Sequence, residues 1–174
     1  HAKWELYYCV HPSVCMRLAV SFIQTVLWET VSPMSESLKF HFDVDGDSFE
    51  SAGEASIVVK KRLRQLGLDP DIIRRVSIAM YEGEINMVIH AGGGEITVLV
   101  FPDKVEMYLD DNGPGIADIE LALTEGYSGA SDAVRSLGFG AGMGLPNMKK
   151  YADEFYIESE VGKGTHIKMI VHLQ

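Results

Sequence analysis

Apolar and polar positions along the chain mark out its elements. Between residues 39 and 44 they alternate around Phe40 and Phe42, the period of a half-buried strand, and Asp45-Gly46-Asp47 follows as a turn. Ser51 with Glu54 three residues later is a capping-box pattern. Ile57, Val58, Leu63 and Leu66 then predict the apolar face of a helix that Gly67 stops. Lys60, Lys61, Arg62 and Arg64 fall mostly on the other side, either as a solvated face or as a docking site. Asp69-Pro70 starts a second helix, a cap followed by proline in the first turn, and Ile72, Ile73, Val76, Ala79 and Met80 are its apolar face. Gly83 lies inside that helix at a cost of roughly 1 kcal/mol against alanine, which makes sense where a neighbour packs closely. Ala91-Gly92-Gly93-Gly94 ends it.

Residues 95–101 and 105–110 alternate as two further strands, joined by the turn Pro102-Asp103-Lys104. Residues 118–125 carry a short helical pattern, and 126–144 are rich in glycine with few large apolar residues, which predicts a mobile loop. A helix restarts over 145–151, and strands over 154–160 and 165–173 flank the turn Gly162-Lys163-Gly164. The order strand, helices, hairpin, glycine loop, helix, hairpin predicts an α/β sandwich of two layers, with helices on one side of the strands. There are no internal repeats. The Gly140-Ala141-Gly142-Met143-Gly144 run has G-x-G spacing but follows a loop and not a strand, and it lacks the lysine-serine/threonine ending of a P-loop.

Composition narrows the function. With 174 residues, 47% hydrophobic and 23% charged, the chain has the make-up of an ordinary globular domain with enough material for a core. Its formal net charge of −10 argues against a nucleic-acid or anionic-membrane partner. The same charge means that a polyanionic ligand needs a metal or backbone amides to offset repulsion. Cys9 and Cys15 make neither a disulfide framework nor a zinc site and read as free thiols in a reducing cytoplasm. Residues 14–31 are apolar-rich, but Arg17, Gln24 and Glu29 interrupt them, so they predict an amphipathic docking helix and neither a membrane span nor a signal peptide. The change of character at Pro33-Met34 predicts a boundary, with 1–33 an N-terminal extension and 34–174 the main domain.

Three stretches carry candidate chemistry. Glu82, Asn86 and His90 are spaced i, i+4, i+8 and form one stripe on a helix. A carboxylate beside a carboxamide suits an acid/base group next to a hard-cation ligand, although a polar surface stripe has the same spacing. In Asp111-x-Gly113-x-Gly115 an aspartate leaves a strand and enters a tight turn. There it can accept a hydrogen bond from an exocyclic amine while the glycines admit a flat ring, or the segment is a plain turn. Gly138-x-Gly140-x-Gly142-x-Gly144 runs into a helix, which makes an anion site from backbone amides and a helix N-terminus, or a flexible linker. Arg135 and Lys149 are near enough in sequence to assist.

Taken in order, Glu82-x-x-x-Asn86, Asp111-x-Gly113-x-Gly115 and the Gly140-x-Gly142-x-Gly144 run resemble the three nucleotide-binding boxes of the GHKL ATPases over roughly residues 40–173. Within that superfamily the stretches DDNGPGIADIELALTEGYSG and GFGAGMGLPNMKKYADEFYIESEVGKGT are most similar to the small anti-sigma-factor serine/threonine kinases, and among them to the stress-response switch kinase. The resemblance implies a Bergerat fold, a mixed, mostly antiparallel sheet with helices on one face. It implies ATP and Mg²⁺ as cofactors. Glu82 would be the general base, Asn86 the Mg²⁺ ligand, and Asp111 the adenine contact, with Gly113 and Gly115 shaping that pocket. Gly140, Gly142 and Gly144 would cradle phosphates, and Thr165 would sit near adenine. His90 would be a structural or lid contact. The partners implied are ATP or ADP, a STAS-domain antagonist or a sigma factor, and a phosphatase, with room for a homodimer. The leading function is a cytoplasmic protein serine/threonine kinase of a partner-switching pathway. The alternatives are an ATP-binding module that sequesters a sigma factor or activates a phosphatase, and a histidine-kinase-type ATPase domain.

Overall fold

The computed structural model describes residues 37–47, 52–129 and 140–174. The expectations for the 1–33 extension, Cys9, Cys15, Ser51, Arg135 and Gly138 lie outside the described residues. Strand β1 (Leu38–Asp45) is followed by helices α1 (Glu54–Gln65) and α2 (Pro70–Asn86). A π-helical turn (Met87–Ala91) leads into β2 (Gly93–Val100) and β3 (Lys104–Asp111). The short α3 (Ile119–Ala122), α4 (Gly144–Tyr151), β4 (Glu154–Glu160) and β5 (Gly164–His172) complete the described chain. The strands form one sheet in the order β1-β2-β3-β5-β4, and all four pairings are antiparallel. The expected mostly antiparallel sheet thus has no parallel pair among the described strands. No helix among the described residues is long and apolar enough to cross a membrane.

Alternation places one face of the sheet against the helices. Phe40, Phe42 and Val44 of β1 pack on a core that buries Ile96 and Val98 of β2, Val105, Met107 and Leu109 of β3, and Ile167, Met169 and Val171 of β5. Helix α2 contributes Ile73, Val76, Ala79 and Met80, as its apolar period predicts, and Asp69 caps it by accepting from the Asp71 N–H at 2.8 Å. Gly83 has a packing reason. A Cβ there would stand 2.0 Å from Leu109 Cδ2 and 3.3 Å from Met148 Sδ, so the missing side chain lets β3 and α4 close on α2.

Helix α1 departs from its predicted face. It buries Ala55, Val59 and Leu63, an i, i+4, i+8 row, with Ser56 beside it, while Ile57 is 67% exposed and Val58 and Leu66 are also exposed. Its N-cap is Gly53 and no side chain caps it from that position. Its first amides are met from across the domain. Ala55 N–H donates to Glu84 Oε1 and Ser56 N–H to Glu84 Oε2, each at 3.1 Å, and Glu84 is 2% exposed. A helix N-terminus is where a buried carboxylate is least costly, because the orphan N–H groups and the dipole both favour negative charge.

Candidate functional site

The core ends in a cavity of about 590 Å³ between α2, α4 and the ends of β3 and β5. That size is ordinary for a small-molecule site. Eight of the nine predicted site residues line it: Glu82, Asn86, Asp111, Gly115, Gly140, Gly142, Gly144 and Thr165. Gly113 does not. It sits behind the wall, where its N–H donates to Asp111 Oδ1 at 2.9 Å and a Cβ would press on Ala91. Its part is to close the turn that aims Asp111.

On the helix side, Glu82 and Asn86 are one α-helical turn apart, as the stripe predicts. Glu82 Oε1 accepts from Asn147 Nδ2 at 2.7 Å, and Oε2 has no partner among the described residues. The Asn86 carboxamide makes no hydrogen bond within the described chain, and a Cβ on Gly144 would lie 2.8 Å from both its Nδ2 and its Oδ1. The glycine run therefore begins α4 directly against the carboxamide, a contact that any side chain at 144 would fill. After Asn86 the helix widens into a π turn, and His90, on that turn, lines the same cavity and is exposed.

On the strand side the register assembles the wall. Asp111 of β3 pairs with Thr165 of β5, and Thr165 pairs with Ser159 of β4. Asp111 Oδ1 accepts from the N–H of Gly113 and of Thr165, the latter at 3.1 Å, so Oδ2 is left for a donor in the cavity. Ser159 Oγ accepts from Ile116 N–H at 2.8 Å, donates to the Gly164 carbonyl at 3.0 Å, and lies 3.0 Å from Thr165 Oγ1. With its one proton given to Gly164, Ser159 can only accept from Thr165, which leaves the Thr165 lone pairs as acceptors. Gly115, at φ +70°, holds this corner closed. A Cβ would stand 2.2 Å from the Glu160 carbonyl, and the positive φ suits glycine alone at low strain.

The glycine loop enters at the top of α4. Gly126 N–H donates to the Gly142 carbonyl at 3.0 Å, tying the two described ends of the loop together, while residues 130–139 lie outside the described chain. Gly144, Leu145 and Pro146, the first turn of α4, line the cavity, and the N–H groups of a first turn have no intrahelical acceptor. Among the described residues no lysine or arginine lines the cavity, and Lys149 is exposed away from it. No group of three His, Cys, Asp or Glu side chains among them could hold a metal. Side-chain oxygens open to the cavity include those of the Asn86 carboxamide, Glu82 Oε2 and Asp111 Oδ2. Backbone amides and a helix N-terminus are the groups of this lining that suit an anion.

Sequence reasoning missed Asn147, Ser159 and Glu84. Ser159 carried a signal, since it continues the inward alternation of Phe155 and Ile157 and a polar residue there needs partners. Asn147 carried none, because it meets Glu82 across 65 positions of sequence.

The chain is similar to known proteins. The family model described as histidine kinase-, DNA gyrase B-, and HSP90-like ATPase matches residues 73–174. The serine/threonine-protein kinase RsbT of Bacillus subtilis is 31% identical over 115 residues, covering 64% of this chain and 80% of that protein. The anti-sigma F factor of Clostridium acetobutylicum is 33% identical over 139 residues, covering 76% of this chain and 89% of its own. The anti-sigma F factor of Caldanaerobacter subterraneus is 31% identical over 113 residues, covering 61% and 76%.

Proposed function

The chain belongs to the histidine kinase-, DNA gyrase B- and HSP90-like ATPase family, and from that premise we propose that it is an ATP-dependent protein serine/threonine kinase whose substrate is a STAS-type antagonist in a partner-switching pathway. The observation that carries the proposal is the pairing of a half-held carboxylate with an open carboxamide on one turn of α2. Glu82 keeps one oxygen on Asn147 and the other without a partner among the described residues, one turn from Asn86. A module that only binds nucleotide has no use for a positioned base. The similarity to a serine/threonine kinase and to anti-sigma factors supports the same reading.

In this assignment Asp111 Oδ2 accepts the exocyclic amine of adenine, and Thr165 accepts a ring or water donor beside it. The backbones of Gly140, Gly142 and Gly144 and the first turn of α4 hold the phosphates. Asn86 would hold Mg²⁺ through its carboxamide oxygen, and the ion, when bound, would offset phosphate charge that no lysine or arginine among the described lining residues meets. Glu82 Oε2 takes the proton of the acceptor hydroxyl while Asn147 fixes the carboxylate plane. Residues 34–174 form the kinase unit, and the cytoplasm, where ATP and an antagonist protein meet, is its place of action.

The test joins binding to transfer. Mg-ATP at 100 times its dissociation constant should stabilise the protein by about 2.7 kcal/mol, seen as a rise in melting temperature. Labelled phosphate should then pass to serine or threonine of a STAS protein encoded beside this chain. No thermal shift at millimolar Mg-ATP removes the nucleotide assignment. Tight nucleotide-dependent partner binding with no transfer replaces the kinase by the binding module.

Asp111→Asn should weaken ATP and ADP alike by about 1–3 kcal/mol in calorimetric titration. The amide turns one acceptor into a donor, and the remaining oxygen cannot serve the Gly113 and Thr165 amides and the adenine amine together. Unchanged affinity would take Asp111 out of the adenine pocket.

A further inference from the structure

A second cavity, of about 670 Å³, runs between α1 and α2. Its lining shares two residues with the first cavity, Tyr81 and Glu82, so the one carboxylate common to both linings, that of Glu82, stands between the two spaces. A transferase needs such a layout, since the donor must reach the base from one side and the acceptor from the other. The two spaces differ in charge. Among the described residues no lysine or arginine lines the first, whereas Lys60, Arg64 and Arg74 all line the second. Those cations are therefore not there for the nucleotide phosphates. Lys60 and Arg64 have no hydrogen-bond or ion-pair partner among the described residues, and Arg74 is held by Asp71 at 2.7 Å. A chain with net charge −10 thus keeps two cations, Lys60 and Arg64, without a partner among the described residues along one groove. Between them the groove presents Ile57, 67% exposed, and Tyr81, 41% exposed, large apolar groups that the core does not use.

We propose that the α1–α2 groove is the acceptor-docking surface of the kinase and takes an acidic, partly apolar surface segment of the protein that supplies the serine or threonine hydroxyl. The proposal rests on the kinase reading above and adds where the substrate protein sits and what recognises it. Carboxylates of the acceptor face Lys60, Arg64 and Arg74, and an apolar side chain lies on Ile57 and Tyr81. The hydroxyl reaches Glu82 from the groove side. Its oxygen bonds to the γ-phosphorus, its proton passes to Glu82 Oε2, and the bond from the γ-phosphorus to the bridging oxygen breaks, so that ADP leaves with that oxygen.

The experiment compares wild type with K60E/R64E, whose residues are exposed and outside the nucleotide cavity, and with K149E/K150E as a charge-matched control on α4. The probes are purified STAS-domain proteins encoded beside this chain. For K60E/R64E the acceptor KM and the acceptor dissociation constant should rise on the order of 10-fold, because two attractions become repulsions. Affinity for Mg-ATP and kcat at saturating acceptor should hold, and the control should match wild type. I57D should raise KM in the same way. KM and dissociation constant within twofold of wild type in K60E/R64E overturn the groove. Binding without transfer by wild type sinks the kinase reading, while the groove is still decided by whether K60E/R64E loses that binding. No binding of any probe by wild type overturns the groove as well. If K60E/R64E loses a sigma factor but keeps the STAS proteins, the groove is a sequestration surface and the acceptor assignment is wrong.

Discussion

Glu82→Ala should lose phosphoryl transfer by about 10²- to 10⁴-fold while its affinity for Mg-ATP stays near that of wild type. The expectation follows from where the carboxylate stands. Oε1 is held by Asn147, Oε2 has no partner among the described residues, and the side chain is shared by the proposed nucleotide cavity and the α1–α2 groove. Its interaction is with the incoming hydroxyl and not with the nucleotide, so its loss appears in kcat and not in binding. Asn86→Ala should differ, because it removes the open carboxamide and weakens the triphosphate complex itself. Asn147→Ala should fall between wild type and Glu82→Ala in rate, with unchanged nucleotide affinity, since the base survives but its plane is free to turn. Single-turnover transfer, with affinity for a non-hydrolysable analogue measured in parallel, separates the three. A Glu82→Ala enzyme that transfers at the wild-type rate would falsify the base assignment.

Strand period and turn chemistry made most of the sheet legible. Once residues 95–101, 105–110, 154–160 and 165–173 read as strands joined by tight turns, antiparallel pairing followed from the connections. The i, i+4 stripe of Glu82 and Asn86 and the turn after Asp111 were legible because each is local. What the register adds is the alignment of Asp111, Thr165 and Ser159 on neighbouring strands, which no local window contains.

The misread parts share one physical cause, contacts made far along the chain. Hydrophobicity alone put Ile57, Val58 and Leu66 on the inner face of α1. The buried row is Ala55, Val59 and Leu63, and alanine and serine give that row little weight in a pattern. The three apolar residues left outside, Ile57, Val58 and Leu66, then need another explanation, and for Ile57 the groove supplies it. Ser51 of the capping-box reading lies outside the described residues, and the N-cap of α1 is Gly53. The group that meets the α1 amides is a carboxylate from α2, 28 and 29 positions on. The widening of α2 into a π turn likewise has no local mark.

Glu84→Ala should cost about 3 kcal/mol of stability and lower the melting temperature by about 10 °C, with its direct effect on structure and not on the chemical step. Glu84 is two residues from the proposed base, but side chains two apart on a helix point away from each other, and this one turns into the domain. It is 2% exposed, and its two oxygens each accept one N–H from the first turn of α1. Truncation leaves both amides buried without acceptors, at about 1–3 kcal/mol each, and removes a charge that the helix N-terminus favoured. Glu84→Gln should recover part of the loss, because one oxygen still accepts while its NH₂ group faces the second amide donor to donor. Urea denaturation followed by circular dichroism measures both. A midpoint within 0.5 kcal/mol of wild type, roughly the noise of such comparisons, would mean that water or another group caps α1 in its place. The loss should also reach function by a route distinct from that of Glu82. The first turn of α1 carries Ile57, and the next carries Lys60. Fraying that turn at temperatures below the melting point should raise the acceptor KM before it alters kcat at saturating acceptor. Glu82→Ala moves those two quantities in the opposite order. Two glutamates on one helix, one turned to the solvent side and one to the core, are thus expected to separate chemistry from docking in the same assay.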